Sequence, residues 1–402
     1  MKVVIAPDTF KESISAGKVA AAIAEGLVEV CGSVQVDLCP MADGGNGTVE
    51  AMVAATGGSF VTADVIDPLG SSIRARFGLL GAPVQDSLPG ELGLLAAEMQ
   101  AEGEGTPGQG HVAVVEMAAA SGLQLVRPED RDPRVTTTFG TGLLIMAALD
   151  AGAAEVIVAI GGSATVDGGC GAAQALGVSF ICEDAQTCIC GMGGGALSTL
   201  GSIDTSDLYA LAREARIRVA CDVTNPLLGP NGAAAVYGPQ KGATAEMVDQ
   251  LESGLTRLAD IVKRDIGVDV SSIPGGGAAG GLGAGLVAFT GATLESGAEL
   301  VASAVGLKRR LAGADLCITG EGSFDSQSAS GKTVSSVAKY AAEAGVPVIC
   351  IAGQVSDDAP MDMFSDVRSL VSEEITASAA MRNPEPLLKA RAGEAIRAFI
   401  SA

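Results

Sequence analysis

Short apolar runs alternate along the chain with Gly- and Asp-rich turns and with Ala-rich stretches that carry a helical stripe. The runs at residues 3–7, 155–160, 218–221, 316–319 and 346–352 lack the in–out alternation of a half-exposed strand. They predict strands buried on both faces, as in a parallel sheet. After the first run, Ser15 stands where a helix N-cap is expected. Val19, Ile23, Leu27 and Val30 then recur at three- or four-residue spacing, one apolar helix face. Met247, Leu251, Leu255, Leu258 and Val262 make a second such stripe, and Val334, Val337 and Ala341 a third. These stripes predict core. Strand, turn and helix in repeated order predict an α/β fold built from βαβ units. Residues 81–110 break the pattern: they are rich in Glu, Gly, Pro and Gln around a short helical segment, and read as a surface excursion.

Composition narrows the core and the partners. The chain has 402 residues, 48% hydrophobic but only 3% aromatic and without Trp, so Ala, Val, Leu and Ile must fill the interior. A net charge of −22 repels nucleic acid and anionic lipid. No apolar run approaches the ~20 residues of a membrane span. The first ten residues read as a strand running into a loop rather than a signal peptide, which predicts a cytoplasmic protein. Nine cysteines are expected as reduced thiols. Cys182, Cys188 and Cys190 lie close in sequence, but a zinc site needs a fourth ligand and His111 is the only histidine,. A single histidine nearly excludes a Ser-His-Asp triad and multi-histidine metal sites. Acid–base work must fall to Asp, Glu or Lys.

Two phosphate motifs fail on inspection. Gly331-Lys332-Thr333 ends like a P-loop, but Ser326 stands where the first glycine is required,. Gly275, Gly277 and Gly280 match the dinucleotide fingerprint, yet Pro274 precedes them, no strand leads in, and no acidic residue follows at the right distance. A Gly-rich turn is the expectation there, with a dehydrogenase as the alternative. A broader pattern carries more. Asp8 follows the first strand with Lys11 three residues on. Asp43 precedes Gly44 and Gly45. Asp167 lies in the run from Gly161, Gly162 and Ser163 to Gly169, Asp222 follows a strand, and Glu321 and Asp325 follow another with Lys332 beyond. Each Asp alone is more often a turn or cap residue than a catalyst. Together they place carboxylates and glycines at strand ends, where α/β sheets bind ligands. Such groups cradle phosphate and hold Mg²⁺, the equipment of phosphoryl transfer.

At these residues the sequence resembles the bacterial glycerate kinase family. The resemblance rests on VVIAPDTFKESISA at 3–16, PMADGGNGTVEAMVAATGG at 40–58, IGGSATVDGGCGAAQALG at 160–177, GAAAVYGPQKGAT at 232–244, GGGAAGGLGAG at 275–285 and ITGEGSFDSQS at 318–328. It implies phosphorylation of D-glycerate by ATP with Mg²⁺, favouring 2-phosphoglycerate. It also implies two α/β domains with the site in a cleft: a Rossmann-like one from residues 1–66 and 286–402, with a parallel sheet, and an inserted one from 67–285. Expected roles follow. Asp167 is the first candidate for the base and Asp8 the second, with Lys11 neutralising charge. Asp43, Gly44, Gly45, Gly161, Gly162, Ser163 and Lys332 bind substrate or nucleotide. Asp222, Glu321 and Asp325, with Asp43, hold Mg²⁺. Asn46 and Ser323 stand where the family commonly has Glu and Arg, and Val334 replaces its usual Pro. A kinase for another small hydroxy acid, transfer to the 3-hydroxyl, or a metabolite sensor remain alternatives. The expected partners are small molecules only, on a monomer or homodimer.

Overall fold

The computed structural model describes residues 1–11, 13–81, 111–184, 193–329 and 333–401. Chain contacts divide it into residues 1–55 with 295–402, and residues 56–294. The first unit opens with β1 (Lys2–Ile5) and β2 (Gln35–Leu38). The second carries β3 (Ser59–Ile66), β4 (Ser72–Leu79), β5 (His111–Glu116), β6 (Ala153–Ala159), β7 (Ser179–Cys182), β8 (Leu200–Asp204) and β9 (Arg216–Ala220), with β10 (Thr293–Glu295) at the junction. The first unit then resumes with β11 (Leu316–Thr319), β12 (Ser323–Phe324), β13 (Val348–Ala352), β14 (Gln354–Val355) and β15 (Asp366–Ser369).

The main sheet of the first unit runs β15-β13-β11-β1-β2, and every pairing in it is parallel. Val3, Val4, Ile5, Leu316, Ile318 and Ile351 are fully buried, as both-face burial in a parallel sheet requires. Counted by chain order within the unit, these strands run 2-1-3-4-5. The order reverses between β1 and β11, and in open α/β sheets ligands bind outside the strands' carboxyl ends at such a reversal. The helix Ala16–Val30 buries Val19, Ile23 and Leu27. It packs on the helix Pro384–Ser401 so closely that a Cβ on Gly26 would lie 2.2 Å from the Lys389 carbonyl oxygen. Ser15 does sit at the N-cap, but its side chain makes no capping bond.

In the second unit a six-stranded sheet runs β10-β9-β6-β5-β4-β3. It is parallel across β5, β6 and β9 and antiparallel at β3, β4 and β5. The long helix Ala245–Asp265 buries Leu251, Leu255, Leu258 and Val262 against Val166, Phe180 and Leu197. The Thr244 hydroxyl accepts from Met247 N–H at its start. The dividing points lie away from the expected 66/67 and 285/286 for two physical reasons. All of β3 pairs with β4, and the helix Ala278–Thr290, kinked at Ala279, Gly280 and Gly281, continues past residue 285 to Thr290.

The surface excursion falls almost wholly outside the described residues, as do Cys188, Cys190 and Lys332. Among the described residues Cys31, Cys39, Cys170, Cys221, Cys317 and Cys350 are free thiols. His111 stands exposed at the head of β5. Among the described residues no helix is long and apolar enough to cross a membrane.

Candidate active site

Five polypeptide turns leave the carboxyl ends of the first unit's parallel strands, and together they line one cavity of about 290 Å³. Asp8 and Lys11 come from the turn after β1, Asp43 from the turn after β2, and Glu321 and Asp325 from the stretch after β11. Gly353 and Gln354 follow β13, and Leu370 and Val371 follow β15. Asp8 is held in place from both sides. Its N–H donates to Gly320 O at 2.8 Å. Its Oδ1 accepts Thr9 N–H at 2.6 Å, and its Oδ2 accepts the Thr333 hydroxyl at 2.6 Å. Glycine is obligatory beneath this turn, since a Cβ on Gly320 would lie 2.0 Å from Ile351 O.

The electrostatics of Asp8 separate it from its neighbours. It is only 7% exposed, and burial, with the Asp43 carboxylate adding to it, pushes its pKa up to about 7. The hydrogen bonds from Thr333 and Thr9, and the charge of Lys11, act the other way. Lys11 rides on a turn closed by the Phe10–Ile14 bridge. Its ammonium lies 3.4 Å from Asp43 Oδ2 and is 76% exposed, and Asp43 raises its pKa. Asp43 also accepts from Gly45 N–H at 3.0 Å, and Gly44 takes a positive φ of 84° beside it. Ser323 lines the same cavity and accepts a hydrogen bond from Gln354 at 3.1 Å. Asn46 is exposed.

Asp167, the first candidate for the base, has different surroundings. It is fully buried and its carboxylate is already committed. Oδ2 accepts Thr138 N–H at 2.8 Å, the Thr138 hydroxyl at 2.7 Å and Gly171 N–H at 3.3 Å. Oδ1 accepts Gly169 N–H at 3.1 Å. This carboxylate ties the start of the helix Cys170–Ala175 to Thr138, which stands at the N-cap of the helix Phe139–Asp150 without a side-chain capping bond to it. Burial raises its pKa while those four donors lower it. Asp167 thus has both carboxylate oxygens hydrogen-bonded inside the second unit, whereas Asp8 lines the cavity of the first.

Gly161 and Gly162 stay accessible at the surface of the second unit, whereas Ser163 is buried. The sequence reading missed what holds this loop. Lys241, 2% exposed, donates from Nζ to Ser163 Oγ and to Thr165 O, both at 2.6 Å. Burial pulls its pKa down to about 7, and Asp167 draws it back up. Lysines are rarely buried, so only its place inside a Gly- and Pro-rich turn hinted at this role. The Gly275–Gly280 fingerprint also serves packing. A Cβ on Gly280 would lie 1.9 Å from Thr165 O, and Gly168 N–H donates to Gly280 O at 3.0 Å. Backbone thus fills the space that a dinucleotide-binding loop leaves for pyrophosphate.

Of the expected metal-holding residues, Asp222 is exposed in the second unit, while Glu321 and Asp325 line the cavity of the first. Among the described residues no three His, Cys, Asp or Glu side chains come together closely enough to hold a metal ion.

Comparison with known proteins agrees with this architecture. The profile of the Glycerate kinase family matches residues 3–400. The chain is 48% identical over 358 residues to a protein of Escherichia coli (strain K12) named glycerate 2-kinase, covering 89% of this chain and 86% of that one. It is 47% identical, over the same shares, to a glycerate kinase of Bacillus subtilis (strain 168). A crystal structure from Salmonella typhimurium LT2, assigned as glycerate kinase 2, superposes with a TM-score of 0.85 at 44% identity. That match covers 100% of this chain and 98% of the other.

Proposed function

The chain belongs to the glycerate kinase family, and we propose that it transfers the γ-phosphoryl group of ATP to D-glycerate, at the 2-hydroxyl. It is an enzyme, a kinase. The observation that carries the reading is Asp8: a buried carboxylate with its pKa pushed to about 7, in a cavity at the reversal point of a parallel sheet. A general base works best with a pKa near the working pH. A carboxylate in a cleft, perturbed by burial and a charged neighbour, marks a functional site.

In the mechanism we propose, Asp8 accepts the proton of the glycerate hydroxyl as that oxygen attacks the γ-phosphorus. The new O–P bond forms as the bond from the γ-phosphorus to its bridging oxygen breaks, and ADP leaves with the electron pair. Lys11, exposed on its turn, meets charge on the transferred phosphoryl group or the glycerate carboxylate. The cavity's oxygen donors fit Mg²⁺. That ion keeps several waters and takes one or two carboxylates plus substrate phosphates rather than an all-protein cage, which matches carboxylates that share a cavity without forming a preassembled cluster. Asp43, Glu321 and Asp325 are the side chains that would hold it. Bound there, it would neutralise charge on the phosphates. Asp167 and Lys241 have a supporting part: they fix the loops around Gly161, Gly162 and Ser163, whose backbone offers a second place for a phosphate or carboxylate.

The test is Asp8→Asn. The expected result is a fall in kcat of about 10²–10⁴, the usual worth of a general base, with ATP affinity held within a few-fold. A variant that keeps kcat within about 10-fold rules out Asp8 as the base.

A further inference from the structure

The cavity is not uniform, and the strand order gives it a direction. Its walls come, in the order of the sheet, from the turns after β2, β1, β11, β13 and β15. Every carboxylate and Lys11 belongs to the first three turns. Gly353 and Gln354 stand over β13. Over β15 the wall turns apolar, with Leu370 and Val371, and it is completed by Ala377, Ala380 and Met381 from the helix Ala377–Arg382. Neighbouring strands lie ~4.8 Å apart, so the β1 and β15 ends are separated by roughly 14 Å.

We propose that the β15 end of this cavity is the nucleobase subsite, taking the adenine of ATP against Leu370, Val371 and Ala380 while its phosphates run back toward Asp8 and Lys11. This rests on the kinase reading above and names where its nucleotide lies. The chemistry of the two substrates decides between them. Glycerate carries an oxygen on every carbon and has no apolar face to bury, so an apolar wall is wasted on it. A nucleoside triphosphate is apolar at one end and anionic at the other, with a ribose and phosphate chain that spans such a distance. Ligand sites of this kind combine an apolar lining with few, convergent polar groups.

The apolar wall is preformed. Leu370 N–H donates to Ala352 O at 2.9 Å and Val371 N–H to Gly353 O at 3.1 Å, so the chain after β15 is pinned to the end of β13. Thr376 caps the short helix by accepting Ala379 N–H at 3.3 Å. Ser13, on the turn after β1, donates its hydroxyl to Met381 O at 2.6 Å. That bond ties the helix to the turn that carries Asp8 and Lys11, so both ends of the cavity are held in one frame. A wall fixed before the ligand arrives saves the ordering cost that a loop would incur.

The experiment is a titration of ADP, with no turnover required, into the wild-type protein, Ala377→Trp and Val371→Asp, alongside KM for D-glycerate. Ala377 is exposed and Val371 half-buried, so neither change empties the core, and a thermal melt confirms that each variant is folded. The expected result is at least a 10-fold weaker Kd for ADP in both folded variants, with KM for D-glycerate within twofold. An unchanged Kd for ADP overturns the subsite. So does a rise in KM for D-glycerate with ADP binding intact, which assigns this wall to the acceptor. ADP binding that weakens as expected, in a protein that phosphorylates no glycerate, supports the subsite and sinks the acceptor assignment instead.

Discussion

The Thr333 hydroxyl lies 2.6 Å from Asp8 Oδ2, across a separation of 325 residues. Thr333 is fully buried at the first turn of the helix Thr333–Glu343. The contact joins the first strand's turn to a helix near the other end of the chain, and it gives the third residue of the Gly331-Lys332-Thr333 run a role. In a P-loop that hydroxyl serves Mg²⁺, whereas here it is spent on a carboxylate.

Removing that donor has a defined sign. The bond favours the charged form of Asp8 and opposes the effect of burial and Asp43. Thr333→Val therefore raises the pKa of Asp8 and moves the acid limb of kcat/KM to higher pH, by about one unit if the bond is worth ~1.5 kcal/mol. Thr333→Ser restores the wild-type profile. A pH–rate series on the three proteins checks this, and coincident profiles for Thr333→Val and wild type contradict it.

Asp8 also makes stability depend on pH. Its folded pKa of about 7 lies above the unfolded value near 3.9, so the folded state holds the proton more tightly. The stabilisation from a protonated Asp8 is present below about pH 4 and is lost as pH rises through about 7. Asp8→Asn, permanently neutral, is therefore expected to gain stability over wild type on going from pH 4 to pH 8, by a few kcal/mol at most. Urea titrations of both proteins at the two pH values measure the difference. A gap that stays constant contradicts the raised pKa.

Asp167→Asn separates structure from chemistry. The amide replaces a carboxylate that accepts four hydrogen bonds, and its NH₂ group then faces donors. A loss of about 2–4 kcal/mol of stability follows, with kcat of the folded fraction within about 10-fold of wild type. Denaturant melts and kcat, measured on the same preparation, read both. A 10²-fold or greater loss of kcat at unchanged stability would return Asp167 to the role of base.

Asp8 and Asp167 show where sequence reading stops. Both follow a buried strand and stand beside glycines or a helix start, and nothing local tells them apart. What distinguishes them is long-range: Thr138 lies 29 residues from Asp167, and Thr333 lies 325 residues from Asp8. Elements set by local period were legible. The run at 316–319 is β11 itself, and the stripes of Leu251, Leu255, Leu258 and Val262, and of Val334, Val337 and Ala341, are buried as their spacing predicts. Order in space was not. That β11 lies between β1 and β13, bringing Glu321 and Asp325 into one cavity with Asp8, depends on pairings far apart in the chain. Lys241 escaped notice because a buried lysine violates the composition rule that sequence reading relies on. The glycines at 275–280 match a phosphate fingerprint without serving as one because close backbone packing and phosphate binding need the same residue.

Phosphorus NMR of the products formed from the purified protein, Mg²⁺-ATP and D-glycerate tests the central claim most directly. The account predicts ADP and 2-phosphoglycerate in equal amounts. ATP left intact beside D-glycerate, in protein shown to be folded and to bind ADP, would contradict it.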